Sequence, residues 1–240
     1  MMIDDSLLRH IAAPATDLAL SFARRRELIA INKKGPGDFA TEADRSVETA
    51  IRDALYRELG EVPIIGEEHG GSLDQSLSGW VIDPIDGTSN FLRGLPLWGI
   101  SIGRLELGEP THGIIVLPEF GIALTGIRGF GTRYNGKLIS APPQRSPVKT
   151  LAIGENEFEP GSVTDEFAEQ QRQRGFDVVR YRCAVFSLAS VALHRLDGYV
   201  ENGCCLWDIA AGWIVCHEAG VAVKVATVGN NRYAVSARWG

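Results

Sequence analysis

The apolar run Trp80-Val81-Ile82 ends abruptly in Asp83-Pro84-Ile85-Asp86-Gly87-Thr88. A strand with no polar alternation has to be covered on both faces, which demands layers above and below its sheet. Pro84 fixes its own φ and pushes Asp83 into extended geometry, so Asp83 and Asp86 leave the strand end on a stiff turn. Gly87 lets backbone N–H groups approach a ligand, and the following Thr-Ser-Asn segment can open a helix whose positive end favours an anion. Taken alone, Asp-Pro and Asp-Gly also make an ordinary turn.

Two further segments weigh against that plain reading. Glu67 and Glu68 follow a second apolar run, Val62 to Ile65, and Asp208 stands isolated in Leu206-Trp207-Asp208-Ile209-Ala210-Ala211-Gly212. A helix cap would account for Asp208 by itself. Together the three segments point to one polynuclear site. Like charges about 4 Å apart repel by roughly 4 kcal/mol at an effective dielectric of about 20. A divalent cation reverses the sign of that interaction, so the acids read as metal ligands rather than as a general acid and base. Mg²⁺ suits them, because it takes hard oxygen donors and keeps several waters.

The 240 residues can bury a large core, as one domain or as two closely packed halves. With 45% apolar and 22% charged residues and no long apolar span, the composition is that of a soluble protein. The N-terminus lacks a signal peptide's basic start and apolar core, so the expected location is cytoplasmic, with no membrane partner. Cys183, Cys204, Cys205 and Cys216 lack zinc-like spacing and read as free thiols. A net charge of −6 makes nucleic acid an unlikely partner.

Leu7, Leu8, Ile11, Leu18, Ala19 and Phe22 recur at helical spacing around Pro14, which should kink or begin a helix. Thr41 with Asp44 reads as a cap for a helix carrying Val47, Ile51, Ala54, Leu55 and Leu59. Short β runs between residues 98 and 140, with a hairpin signal at Asn135-Gly136, form an antiparallel meander. Pro142, Pro143 and Pro147 mark a hinge. Alternating β and α segments beyond it imply a parallel sheet. The expected division is 1–142, with helices, antiparallel sheet and most metal ligands, and 143–240, an α/β half carrying Asp208 and the substrate side.

These residues resemble the Mg²⁺-dependent, lithium-sensitive phosphatases typified by inositol monophosphatase. Trp80 to Phe91 is similar to the family's first signature, Trp207 to Gly212 with Glu218-Ala219-Gly220 to its second, and Gly66-Glu67-Glu68 to its metal-bridging loop. Weaker similarity lies at 40–44, 134–136 and 197–201. The resemblance implies a layered αβαβα sandwich, an antiparallel-sheet half with a smaller parallel-sheet half, and a homodimer. It gives Glu67, Asp83 and the Ile85 carbonyl to one Mg²⁺ and Asp83, Asp86 and Asp208 to a second, with a third, weaker ion near Glu67. Thr88 with Asp44 would orient the attacking water, and the Gly87 and Thr88 amides would receive the phosphate. Asp86, Ala184 and Glu201 would meet a small phosphate substrate such as inositol monophosphate. Where relatives carry a small Gly-Ser/Thr-Ala segment, this chain has Arg180-Tyr181-Arg182-Cys183-Ala184, so Arg182 joins the substrate side. Fructose bisphosphate, histidinol phosphate and adenosine bisphosphate are the alternative substrates, and a partner role in the transcription machinery is the non-enzymatic one.

Overall fold

Among the described residues the helices are α1 (Asp5–Ala23), α2 (Glu42–Leu59), α3 (Thr88–Arg93), α4 (Gly161–Gln173), α5 (Ala184–Ala192) and α6 (Leu206–Glu218). The computed structural model describes residues 2–28, 31–35, 38–139 and 146–240, so Pro142 and Pro143 of the expected hinge lie outside the described residues. α1 buries Leu8, Ile11, Ala15 and Ala19, and α2 buries Val47, Ile51, Ala54 and Leu55, each along one helical stripe. Pro14 sits inside α1 without ending it. α2 begins at Thr41, as its sequence predicts: the Thr41 Oγ1 accepts from the Ala43 and Asp44 N–H groups, and Asp44 Oδ2 accepts from the Thr41 N–H at 2.8 Å.

A hairpin of β1 (Ile31–Gly35) and β2 (Asp38–Thr41) precedes α2. The larger sheet contains β3 (Ile64–Gly66), β4 (Gly70–Gly71), β5 (Gly79–Asp86), β6 (Gly99–Glu106), β7 (Glu109–Leu117), β8 (Ile122–Ile127), β9 (Gly131–Tyr134) and β10 (Lys137–Leu138). Its order is β10-β9-β8-β7-β6-β5-β3-β4, antiparallel throughout except where β3 runs parallel to β5. Asn135 and Gly136, at φ 46° and 83°, make the expected hairpin between β9 and β10.

The smaller sheet, ordered β12-β11-β13-β15-β14, contains β11 (Lys149–Ile153), β12 (Phe176–Val179), β13 (Gly198–Cys204), β14 (Ala222–Gly229) and β15 (Arg232–Arg238). β11 pairs in parallel with β12 and β13, as the alternation predicts. β15 is antiparallel to both β13 and β14, because β14 and β15 are joined by a tight turn through Asn231 at φ 54° instead of by a crossover helix.

α6 lies between the sheets at very short range. Gly103, Gly113 and Gly126 are register partners in a row across β6, β7 and β8. A Cβ on Gly113 would stand 2.6 Å from Ile214 Cγ2, and one on Gly126 would stand 2.7 Å from Val215 Cα. This trough of missing side chains admits the Ala210–Val215 face of α6. Ile115, Leu117 and Leu124 of the larger sheet, Val185 and Leu188 of α5, Ile209 and Val215 of α6 and Tyr199 and Val235 of the smaller sheet share one buried cluster. With α4 covering β11 and β12, the layers run α1/α2, larger sheet, α5/α6, smaller sheet, α4, which is the αβαβα sandwich that the resemblance implies.

Candidate active site

β5 pairs Asp83 with Ser101 and Asp86 with Gly99, so three steps along β5 match two along β6. The extra residue makes a bulge at Pro84 and Ile85. Ser101 and Gly99, two apart, face the same side, so the bulge turns both acids onto one face where a regular strand would separate them. That face looks onto the starts of α5 and α6. Ser101 Oγ donates to the Trp207 carbonyl at 3.0 Å, and a Cβ on Gly99 would sit 2.8 Å from Val185 Cγ1.

Asp83 is 1% exposed and accepts from the Ile85 N–H at 3.1 Å. Burial, then the charges of Glu67, Asp86, Asp208 and Asp44, push its carboxyl well above the usual range. Asp86 Oδ2 accepts from the Val185 N–H at 2.5 Å and the Cys183 thiol at 3.2 Å, and the Ala184 amide also bonds to it. Burial carries Asp86 to about 6, with Glu201 adding to the rise. Asp208, in the first turn of α6, accepts from the Cys205 N–H at 2.7 Å; burial and then Asp86, Glu201 and Glu67 raise it well above an ordinary aspartate. The Glu67 N–H donates to the Ile82 carbonyl at 3.2 Å, which holds its loop to β5.

Asp44 reaches the cap and Thr88 with separate oxygens. Oδ2 closes the α2 capping box, while Oδ1 lies 3.2 Å from Thr88 Oγ1. The Thr88 hydroxyl is also 3.0 Å from the Ile85 carbonyl. Burial lifts Asp44 to about 6. Gly87 has φ 84°, and a Cβ there would come within 2.9 Å of the Leu97 carbonyl and 3.1 Å of Cys183 Cβ, so only glycine fits this turn.

Glu201 is 8% exposed and accepts from Asn156 Nδ2 at 2.7 Å and from the Tyr199 hydroxyl. Burial raises its pKa, opposed by those bonds and by Arg232 and Arg182. His69 is exposed and bonds Thr49 and the Arg45 carbonyl, which makes it a loop residue. Tyr199, Asn156, Cys183 and Glu48 escape a reading of sequence alone. Glu48 is fully buried, receives the Glu68 N–H at 2.8 Å and pairs with Arg52 at 2.8 Å, and so anchors the loop that carries Glu67.

Among the described residues, no group of three or more His, Cys, Asp or Glu side chains is drawn together into a finished metal cage. Asp86 and Asp208 instead bond backbone N–H groups. The donor set nevertheless fits a hard divalent cation: it is oxygen throughout, carboxylates with the Ile85 carbonyl, Asp83 is buried while Glu67, Asp86 and Asp208 are half-buried, and the charges acting on Asp83 are negative.

The family model described as "Inositol monophosphatase family" matches residues 6–238. The chain is 31% identical to the "Fructose-1,6-bisphosphatase/inositol-1-monophosphatase" of Aquifex aeolicus, over 79% of this chain and 73% of that one. It is 33% identical to the "Nus factor SuhB" of Xylella fastidiosa, over 87% of this chain and 77% of that one. Among solved structures, Thermotoga maritima IMPase superposes with a TM-score of 0.80 at 27% identity, covering 95% of this chain and 89% of that one.

Proposed function

The chain belongs to the inositol monophosphatase family, a metal-dependent phosphoric monoester hydrolase in kind, and we propose that it hydrolyses a small soluble phosphomonoester, inositol monophosphate first among the candidates. The observation that carries this reading is the β5 bulge, which gathers Asp83 and Asp86 on one face beside Asp208 and Glu67. Glu67, Asp83 and the Ile85 carbonyl would hold one Mg²⁺, and Asp83, Asp86 and Asp208 a second, with a third near Glu67. Mg²⁺ bound there supplies Lewis-acid polarisation and neutralises the charge of the phosphoryl group.

Thr88, held 3.2 Å from Asp44, orients the attacking water, while the Gly87 and Thr88 amides receive the phosphate oxygens. Asp86, Ala184 and Glu201 face the leaving-group hydroxyls. The name of the Xylella relative favours a second reading, a partner of the transcription machinery, which would operate without turnover. Phosphate release from inositol, sugar, amino-alcohol and nucleotide phosphates, with Mg²⁺ and then with EDTA, separates the two. Mg²⁺-dependent release that lithium inhibits is the expected outcome. No release from any substrate in the panel would overturn the hydrolase reading.

A further inference from the structure

Segment 180–184 is clamped from two sides against the proposed site. Asn90 of α3 donates through Nδ2 to the Tyr181 carbonyl at 2.8 Å, and Cys183 donates to Asp86 Oδ2 at 3.2 Å. Arg182 lies between those anchors with φ 52°, a left-handed conformation that a residue with a Cβ keeps only where its surroundings impose it. Its guanidinium stands 3.8 Å from Glu155 Oε2. Glu155 is flanked by Gly154, where a Cβ would overlap Glu201, and by Asn156, which donates to Glu201 at 2.7 Å. Backbone and side chain of Arg182 are thus both referenced to the residues facing the leaving group.

Arg180 and Arg182 differ sharply in their engagement. Arg180 is taken up by Glu155 Oε1 and Asp165 Oδ1, both at 2.7 Å. Arg182 has the longer contact and a side chain 52% exposed. Its charge still reaches inward, since Arg182 and Arg232 both lower the Glu201 carboxyl. Arginine stays charged and grips phosphate or carboxylate through parallel hydrogen bonds.

We propose that Arg182, and not Arg180, is a specificity-determining residue that binds a second anionic group on the leaving-group side of the substrate, with Glu155 as the resident anion that this group displaces. The inference rests on the phosphomonoesterase reading above. It favours a bisphosphate over a neutral polyol monophosphate, and it disfavours a monoester with a cationic amine.

The test compares kcat/KM for fructose 1,6-bisphosphate, inositol 1-phosphate and histidinol phosphate in the full chain with Mg²⁺. Arg182→Asn removes the charge while suiting a left-handed backbone, so the fold is retained. It should lower the ratio of bisphosphate to inositol phosphate kcat/KM by about tenfold, the worth of one charge-assisted contact. Arg182→Lys should keep part of the preference, and Glu155→Gln should raise the ratio by releasing Arg182. An unchanged ratio in Arg182→Asn, or a preference for histidinol phosphate in the wild type, overturns the proposal. If the wild type turns over none of the three, the wider panel of phosphates, nucleotide phosphates included, decides the hydrolase reading. Calorimetric binding of fructose 1,6-bisphosphate to wild type and Arg182→Asn then decides the role of Arg182, and equal affinities refute it.

Discussion

Asp83→Asn separates what the acid cluster does for catalysis from what it costs the fold. Asp83 is almost wholly buried and faces four other carboxylates, each opposing its charge. Like charges about 6 Å apart repel by roughly 2.8 kcal/mol at an effective dielectric of about 20, and relaxation and proton uptake remove part of that, leaving about 1–2 kcal/mol. Asparagine has the same shape, and its carbonyl oxygen can keep the 3.1 Å bond from the Ile85 N–H. The metal-free variant should therefore be more stable than the wild type. A chain of this size shifts its melting point by about 2–4 °C per kcal/mol, so the expected rise in EDTA is roughly 2–8 °C. Saturating Mg²⁺ should raise the melting point of the wild type more than that of the variant, and turnover of the variant should fall at least about a hundredfold. Melting curves in EDTA and in Mg²⁺, with phosphate release on the same samples, make the measurement. Wild-type turnover at saturating Mg²⁺, or a lower melting point in EDTA, would refute the reasoning.

Mg²⁺ together with inorganic phosphate should raise the melting point of the wild type, with ligand at about 100 times its Kd adding roughly 2.7 kcal/mol; a curve indifferent to both would count against the site. Cys183→Ala removes a donor from Asp86 and the acceptor of the Phe186 N–H at 3.3 Å, so calorimetry should find Mg²⁺ binding about tenfold weaker, with Cys183→Ser restoring it. Gly113→Val should destabilise the chain by about 1–3 kcal/mol or more in chemical denaturation, because its side chain would collide with Ile214 and drive α6 off the larger sheet. Retention of full stability would mean that α6 can shift freely.

What the sequence reveals about this fold is what local rules determine. The Thr41 cap and the Asn135-Gly136 hairpin each depend on residues a few positions apart, and each appears where expected, whereas β5, which the Asp83-Pro84 step should end, continues through its bulge to Asp86 because β6 still pairs with it there. The shared face of Asp83 and Asp86 is different in kind, because it depends on β6 pairing across the bulge. Gly103, Gly113 and Gly126 read as scattered turn formers until pairing aligns them beneath α6. Glu48 and Arg52 resemble an exposed i,i+4 pair, yet Arg52 Nη2 donates to the Gly70 carbonyl at 2.6 Å and Glu48 is sealed beneath the loop.

The acids of the proposed site differ in how the protein tolerates them without a cation. Asp44, Asp86 and Asp208 each give one oxygen to N–H groups at the start of a helix, namely α2, α5 and α6. Such ends carry partial positive charge and favour a carboxylate by about 0.3–1 kcal/mol each, up to about 2 kcal/mol when partly buried. Among the described residues Asp83 accepts only the Ile85 N–H, which belongs to a strand bulge and not to the first turn of a helix. Neutralising it therefore removes repulsion and forfeits little. Asp208→Asn also removes repulsion, but it gives up the attraction between a charged carboxylate and the start of α6, so its metal-free gain should be smaller. Melting both variants in EDTA tests the ranking. If Asp208→Asn gains as much as Asp83→Asn or more, the helix ends contribute nothing to holding the acids apart from metal, and repulsion alone sets the stability of the cluster.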